Sequence, residues 1–129
     1  MMSKASIFDH GVAWEEGNSV TQAYCVNGTI HISGQFSHDQ EGFVDGDVEA
    51  QTRLTLANLD RVLAGFGVTK SNLAYMEIYL TKPQEHFEPC VRAFKDYLAG
   101  HRPAATLIGV TYLASPKQLV EISAVAHVS

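Results

Sequence analysis

A glutamate lies in the middle of an otherwise apolar strand near the end of the chain. Glu121 is flanked by Leu119, Val120, Ile122 and Ala124 in the segment QLVEISAVAH. Carboxylates are depleted in strands, and burying one without a partner costs free energy. One explanation is that this face of the strand is solvated, or that Glu121 pairs with a lysine or arginine across a subunit contact. The other is that Glu121 lies in a cleft and acts there as a general base or a proton donor.

The histidines and cysteines form no recognisable metal or nucleophile motif. The six histidines contain neither an HxH nor an HExxH pattern, and the two cysteines do not form a CxxC motif. Surface histidines and buried, unreactive thiols are therefore favoured. The glycine-rich loops that bind nucleotide phosphates are also absent from the sequence. We expect no metal and no cofactor.

Two further short stretches could contact a ligand. Ser33 and Gly34 end a predicted strand, where they form either a simple bend or a hydroxyl and backbone N–H directed at a ligand. Arg102 precedes Pro103, which favours an extended backbone at the arginine. Most arginines in such a position are solvated, but some bind carboxylates.

The elements that must position these residues follow from turn signals and hydrophobic periodicity. Asn27-Gly28, between two β-prone runs, predicts a two-residue type I′ hairpin. A leucine-rich stripe over residues 45–67 predicts a helix with Asp47 as its N-cap. Residues 88–100 predict a shorter helix with Pro89 at its first position. Residues 73–80, 105–113 and 118–127 predict three more strands.

The resulting order ββαβαββ predicts an α+β fold in which two helices cover one face of a mixed sheet. In the last strand, alternation places Val120 and Ile122 on one face and Glu121 and Ser123 on the other. The face without helices is therefore partly polar and partly apolar. Such a face indicates a protein partner, most simply further copies of the same chain.

Composition narrows the function classes. The length of 129 residues and the hydrophobic content of 46% fit one domain over residues 1–129. The net charge of −5, with scattered basic residues, argues against nucleic acid as the main partner. The sequence contains no signal peptide pattern and no run of about 18 apolar residues. We expect a cytoplasmic protein with two free thiols and no contact with the membrane.

Four segments, in this order, resemble the Rid family of reactive intermediate deaminases, the YjgF-type proteins. They are GTIHISGQ, QTRLTLANLDRVLAGFG, MEIYLT and RPAATLIGVTYLASPKQLVEISAVA, and the resemblance covers residues 20–127. It implies a chorismate-mutase-like fold and a homotrimer whose three sheets form a central barrel with the helices outside. It also implies ligand clefts between the subunits. Active members hydrolyse reactive enamines and imines to 2-keto acids and ammonia, without metal or cofactor.

The resemblance also assigns roles to individual residues. Glu121 matches the family's water-positioning glutamate, Ser33 and Gly34 match residues that line the cleft, and Leu107 falls where a backbone N–H contacts the ligand. The family's carboxylate-binding arginine lies in a Pro-Ala-Arg-[Ser/Thr] run. Here the run is Pro-Ala-Ala-Thr, so Ala105 occupies the arginine position in the cleft. Subgroups without this arginine are regarded as lacking the standard deaminase activity.

Three functions are compatible with these residues. The first is a Rid trimer that binds a small, less acidic ligand in its clefts and uses Glu121 to hydrolyse a specialised imine or enamine. The second is a standard deaminase of the 2-aminoacrylate type in which Arg102 or Arg92 replaces the missing cation. The third is a non-enzymatic regulatory or chaperone-like binding module. The sequence leaves open whether the chain is an enzyme; if it is one, it is a hydrolase acting on C–N bonds, and its ligand is an imine, an enamine or a keto acid.

Overall fold

The computed structural model describes residues 5–129 as one six-stranded sheet with two long helices on one face. The helices are α1 (Ala13–Gly17), α2 (Val48–Gly65) and α3 (Pro83–Leu98), and a 3₁₀ turn covers Lys70–Asn72. The strands are β1 (Ser6–Phe8), β2 (Ala23–Val26), β3 (Thr29–Gln35), β4 (Leu73–Thr81), β5 (Ala104–Val110) and β6 (Val120–His127). None of the helices within residues 5–129 has the length and apolar character that crossing a membrane requires.

The sheet is mixed, as the sequence predicts. Its strand order is β1-β2-β3-β6-β4-β5, so β1 and β5 are the edge strands. Neighbouring strands are antiparallel except β4 and β5, which run parallel and are connected by α3. Between β2 and β3, Asn27 and Gly28 have φ values of 53° and 78°. Positive φ at both turn residues confirms the predicted type I′ hairpin.

The predicted order ββαβαββ is confirmed, with one strand and one short helix added in front. The prediction that Pro89 begins the second long helix is wrong, because α3 begins at Pro83 and contains Pro89 in its interior. Pro83 fills the first helical position, where its missing N–H costs little. The helix continues past Pro89 because α3 packs on α2 and buries Cys90, Ala93 and Leu98.

The core lies between the sheet and the two long helices. The leucine stripe of α2 is fully buried at Leu56, Leu59 and Leu63 and meets the inward-facing side chains of the central strands. Those side chains are Ile30, Ile32, Met76, Ile78, Leu80, Val120, Ile122, Ala124 and Ala126. The same alternation turns Glu121 and Ser123 to the opposite face, where the described helices do not cover the sheet.

We expect the N-cap of α2 to contribute measurably to stability. The Asp47 Oδ1 atom accepts a hydrogen bond of 2.8 Å from the backbone N–H of Ala50. Because this bond satisfies a donor that the helix itself leaves free, Asp47→Ala should lower the free energy of unfolding by about 1 kcal/mol. Asp47→Asn keeps the acceptor and serves as the control in urea unfolding. A loss of the same size in both variants would contradict this role.

A cluster of aromatic and imidazole rings is buried where the N-terminal segment meets the loop after β3. The ring centroids of His10 and His38 lie 5.2 Å apart, and His38 packs against Trp14 at 5.0 Å and Phe36 at 4.7 Å. The His10 Nε2 atom is 2.8 Å from Gln35 Oε1. Its Nδ1 atom is buried without a partner among the described residues. The rings of His10, Trp14 and Phe36 thus surround His38.

We expect acid to destabilise the fold through His38. Burial is the largest cause that lowers the pKa of His38 below its ordinary value of 6.5. His10 and Arg61 lower it further, whereas Asp39 opposes the shift. Because the unfolded chain binds this proton more readily, stability should fall as the pH drops below about 6.5. Urea unfolding between about pH 7.5 and pH 5 should show a smaller loss in His38→Phe than in the wild type. Equal pH dependence in the two proteins would count against His38.

Candidate functional site

The candidate site is built on an irregularity between β3 and β6. Ile32 lies opposite Ala124 and Gln35 lies opposite Ile122, so two residues of β3, Ser33 and Gly34, occupy the space of one residue of β6. This two-against-one arrangement is a β-bulge, which bends the strand and changes the direction of nearby side chains. The bulge therefore interrupts the regular ladder next to Glu121.

Gly34 leaves the space that the Glu121 carboxylate fills. A Cβ atom on residue 34 would lie 2.1 Å from Glu121 Oε2 and 2.8 Å from its Cδ. Real Cβ contacts are never this short, so Glu121 takes this position only because residue 34 is glycine. The glycine at position 34 therefore allows the Glu121 carboxylate to lie directly against the backbone of β3.

The other carboxylate oxygen of Glu121 has a protein partner. Gln118, which is buried, donates a hydrogen bond of 3.1 Å from Nε2 to Glu121 Oε1. Among residues 5–129, no hydrogen bond reaches Oε2. Glu121 itself is half-buried. One oxygen is thus fixed by the protein, and the other lies against the bulge and can accept a proton or a hydrogen bond from a ligand.

Ser33 offers less than the sequence suggested. Its backbone N–H donates to the carbonyl of Gln22 at 2.8 Å, and its hydroxyl donates to the carbonyl of Thr21 at 2.7 Å. Both donors are therefore occupied within the chain. That the Ser33-Gly34 pair directs a hydroxyl and a backbone N–H at a ligand stays a prediction, and within the chain the Ser33 N–H already has a partner. The exposed Oγ atom retains lone pairs, so Ser33 can accept a hydrogen bond from a ligand.

A buried amide network lies beneath the bulge. Gln35 is fully buried, and its Nε2 atom donates to the Ser33 carbonyl at 3.0 Å and to Gln22 Oε1 at 2.9 Å. Its Oε1 atom lies 2.8 Å from His10 Nε2. Every polar atom of this amide is therefore satisfied. The network ties the bulge to the segment just before β2 and to the N-terminal segment, which restrains the backbone at Ser33.

The uncovered face of the sheet carries a second polar group beside the bulge. The Glu77 carboxylate accepts hydrogen bonds from the hydroxyls of Tyr79 at 2.6 Å and Tyr75 at 3.1 Å. The bond to the carboxylate raises the pKa of the Tyr79 hydroxyl above its usual value. Tyr75, Glu77 and Ser33 line one depression of about 370 Å³, together with Tyr24, His31 and Ser123.

The structure separates the other predicted site residues from Glu121. Ala105 pairs with Met76 and Leu107 pairs with Ile78, so both lie on the helix side of the sheet. Leu107 packs against the core, and Ala105 is exposed on the edge strand β5. Glu121 pairs with Tyr79 on the opposite face. Within one chain, Ala105 and Leu107 therefore do not meet Ser33, Gly34 and Glu121.

Neither proposed substitute arginine lies near Glu121 in the chain. Arg102 is exposed in a groove of about 400 Å³ beside α3, which also contains Phe94 and Leu98. Arg102 lies two residues before Ala104, and Ala104 pairs with Tyr75 of β4. Glu121 pairs with Tyr79 of the same strand. Tyr75 and Tyr79 are four residues apart, or about 13 Å along β4. Arg92 Nη1 binds Glu49 Oε1 at 2.7 Å on the helix layer.

The charge of the sheet is unusual for a site that would bind an acid. The six described strands contain no lysine and no arginine, whereas they contain the carboxylates of Glu77 and Glu121. The residues 5–129 also contain no group of three or more histidine, cysteine, aspartate or glutamate side chains placed to hold a metal ion. The site therefore contains the Glu121 carboxylate beside the bulge, and the strands that form the site contain no cationic side chain.

Sequence reasoning missed the side chains that support Glu121. Gln118 lies three residues before Glu121, but its role depends on the turn that brings its amide back to the carboxylate. Gln35 follows the Ser33-Gly34 pair, and its partners Gln22 and His10 lie just before β2 and in the N-terminal segment. Strict alternation from Ile30 and Ile32 would place Gln35 on the uncovered face, and only the bulge turns it to the buried face, so no local signal indicated its role.

A family model described as endoribonuclease L-PSP matches residues 13–128. The solved structures that share the fold include a Yersinia pestis protein, YyfA, described as a conserved Rid family protein of unknown function. The chain belongs to the Rid family. YyfA is 28% identical, has a TM-score of 0.84, and the match covers 97% of this chain and 100% of that chain.

Two further comparisons with this Rid protein concern the family and the fold. The mitochondrial protein mmf2 of Schizosaccharomyces pombe is 33% identical over 112 residues, which cover 85% of this chain and 88% of mmf2. The Rv2704 protein of Mycobacterium tuberculosis, described as a YjgF/YER057c/UK114 family member, has a TM-score of 0.87. It is 23% identical, and the match covers 97% of this chain and all of that chain. At this identity, Rv2704 supports the fold alone.

Proposed function

We propose that this Rid protein is a homotrimer that binds a small nitrogen compound in clefts between subunits and hydrolyses an imine or enamine with Glu121. The observation that carries the proposal is the position of the Glu121 carboxylate, which fills the space left by Gly34 while Gln118 holds one of its oxygens. A carboxylate that is held in place and keeps one oxygen without a protein partner is suited to position water and to accept its proton.

The intersubunit location is supported by the separation of the predicted residues. Ala105 and Leu107 lie on the opposite face of the sheet from Glu121, so a cleft containing all three needs two copies of the chain. The uncovered sheet face and the free edge of β5 are surfaces that such copies would cover. Light scattering should therefore give three times the 14.1 kDa mass of the chain. A monomer at micromolar concentration would contradict the trimer.

The chemistry of such a cleft is a hydrolysis. Glu121 Oε2 accepts a proton from water as the water oxygen attacks the imine carbon, and the C=N double bond becomes a C–N single bond. Glu121 passes this proton to the nitrogen, which gives a carbinolamine. The carboxylate then takes the proton of the new hydroxyl and transfers it to the nitrogen, the C–N bond breaks as the C=O bond forms, and the carbonyl product and ammonia or an amine leave. One water is consumed for each imine, and the carboxylate is regenerated. The step needs no electron donor or acceptor.

The ligand is proposed to lack a carboxylate. Ala105 removes the family's cation, and the six described strands contain no lysine or arginine. Glu121 Oε2 and Ser33 Oγ are hydrogen-bond acceptors, so they favour a neutral or cationic ligand with N–H donors. A carboxylate placed beside Glu121 would be repelled. The substrates that we propose are therefore imines without a carboxylate group rather than 2-imino acids.

The test is a panel of imines and enamines with and without a carboxylate group, assayed for release of ammonia or amine. The wild type should hydrolyse non-acidic members, and Glu121→Gln should lower the rate by about a hundredfold or more. Glu88→Gln, on the exposed face of α3, is the matched control and should retain the wild-type rate. If no member is hydrolysed and none binds in crystals, the proposed function is wrong.

A standard deaminase that relies on Arg102 is the competing function. It needs Arg102 of one subunit to reach Glu121 of another, since the two are far apart within the chain. Hydrolysis of 2-aminoacrylate that is lost in Arg102→Ala would favour it over our proposal. A single domain over residues 1–129 and a cytoplasmic location stay predictions, and the relative mmf2 is described as mitochondrial.

A further inference from the structure

The loop between β5 and β6 is anchored by a buried side chain of α2. Gln51 is 1% exposed, and its Nε2 atom donates to the Lys117 carbonyl at 3.0 Å and to the Gly46 carbonyl at 2.9 Å. Its Oε1 atom accepts from the Leu119 N–H at 2.9 Å. Gln51 therefore binds the residues on both sides of Gln118, and it fixes the backbone of the loop to the first turn of α2.

Gln118 is oriented by contacts at both ends of its amide group. Its Oε1 atom accepts from the Ser115 N–H at 3.2 Å, which turns the Nε2 atom in the other direction. That Nε2 atom donates to the Val120 carbonyl at 3.2 Å and to Glu121 Oε1 at 3.1 Å. Because Gln118 is only 4% exposed, water does not compete freely for these bonds.

We propose that Gln118 is the positioning residue for Glu121 and that Gln51 is its anchor. Gln118 holds Glu121 Oε1, so that Oε2 remains against Gly34 and available to water and ligand. Without this bond, the flexible glutamate side chain could leave the bulge for solvent. The inference rests on the proposed function of Glu121, but it makes a separate statement about what holds the carboxylate in place.

The experiment compares Gln118→Met, Gln118→Glu and the wild type. Methionine keeps the length of the side chain and removes the donor, whereas glutamate keeps the shape and replaces the donor with a second carboxylate. Gln84→Met, exposed on α3, is the matched control. High-resolution crystal structures should show the Glu121 carboxylate away from Gly34 in Gln118→Glu and in several rotamers in Gln118→Met. The control should leave it in place.

The kinetic readout separates positioning from a general structural role. On a non-acidic imine that the wild type hydrolyses, Gln118→Met should lower kcat by roughly ten- to a hundredfold, the range of a hydrogen bond to a charged group, with little change in KM. The thermal midpoint of Gln118→Met should stay within a few degrees of the wild type. A fall in thermal midpoint with unchanged kcat would show a purely structural role and overturn the inference.

Two further outcomes are decisive. If Glu121 keeps its wild-type position in both Gln118 variants, the inference is wrong whether or not the protein is an enzyme. If neither variant folds, the side-chain amide protons of Gln118 are followed by NMR in the wild type and in Glu121→Gln. A clear change in their chemical shifts supports the bond, and no change overturns it. Failure of the wild type to hydrolyse any imine would refute the proposed function alone.

Discussion

Replacing Gly34 by alanine should displace the Glu121 carboxylate and reduce Glu121-dependent hydrolysis by about a hundredfold or more, the contribution typical of a positioned general base. The new Cβ atom would lie 2.1 Å from Oε2 and 3.0 Å from Cγ, so the glutamate side chain must rotate away from the bulge. Because the clashing atoms belong to a flexible, half-buried side chain, most of the effect should fall on function and little on stability. Crystal structures and the hydrolysis rate measure the two effects separately.

Gly17→Ala is the control for this prediction. Gly17 ends α1, and a Cβ atom there would meet no other atom within 4 Å, so its substitution tests the general cost of replacing a glycine. The double variant Gly34→Ala with Glu121→Gln should be no slower than Glu121→Gln alone, since both changes remove the same carboxylate from the same place. Additive losses, or a Gly34→Ala protein with the wild-type rate, would show that the contact does not matter.

Local patterns predicted much of the fold because they depend on neighbouring residues. The positive φ values of Asn27 and Gly28 and the cap at Asp47 follow from the chemistry of a few adjacent residues. The alternation of β6 correctly places Glu121 on the face away from the core. By contrast, β1 and α1 are too short for a periodic signal. Pro89 is tolerated inside α3 because packing against α2 outweighs its local preference.

The candidate site could be predicted only in part, because its geometry depends on contacts between distant segments. Sequence reasoning identified Glu121, Ser33 and Gly34, but not the contact that joins Gly34 to Glu121 Oε2. It also missed Gln51, whose partners Lys117 and Leu119 lie far along the chain. The position of Ala105 on the other face needed the register of β5 against β4, which no local pattern contains.

Restoring the family's arginine should create the activity that the wild type is proposed to lack. We expect Ala105→Arg to bind 2-imino and 2-keto acids roughly ten- to a hundredfold more tightly than the wild type, the gain typical of a hydrogen bond between charged groups. Ala105 is exposed on the edge strand β5, so the longer side chain fits without burying its charge. Its hydrolysis of enzymatically generated 2-aminoacrylate, followed as pyruvate and ammonia, should exceed that of the wild type.

Ala104→Arg separates the position of the charge from its mere presence. Ala104 is also exposed on β5, but it pairs with Tyr75 and lies on the opposite face from Ala105. It adds the same charge to the same strand, so only Ala105→Arg should gain affinity for the carboxylate. Equal gains in both variants would indicate a general electrostatic effect. A wild type that already hydrolyses 2-aminoacrylate well would show instead that another cation completes the cleft, and the preference for a non-acidic ligand would then be wrong.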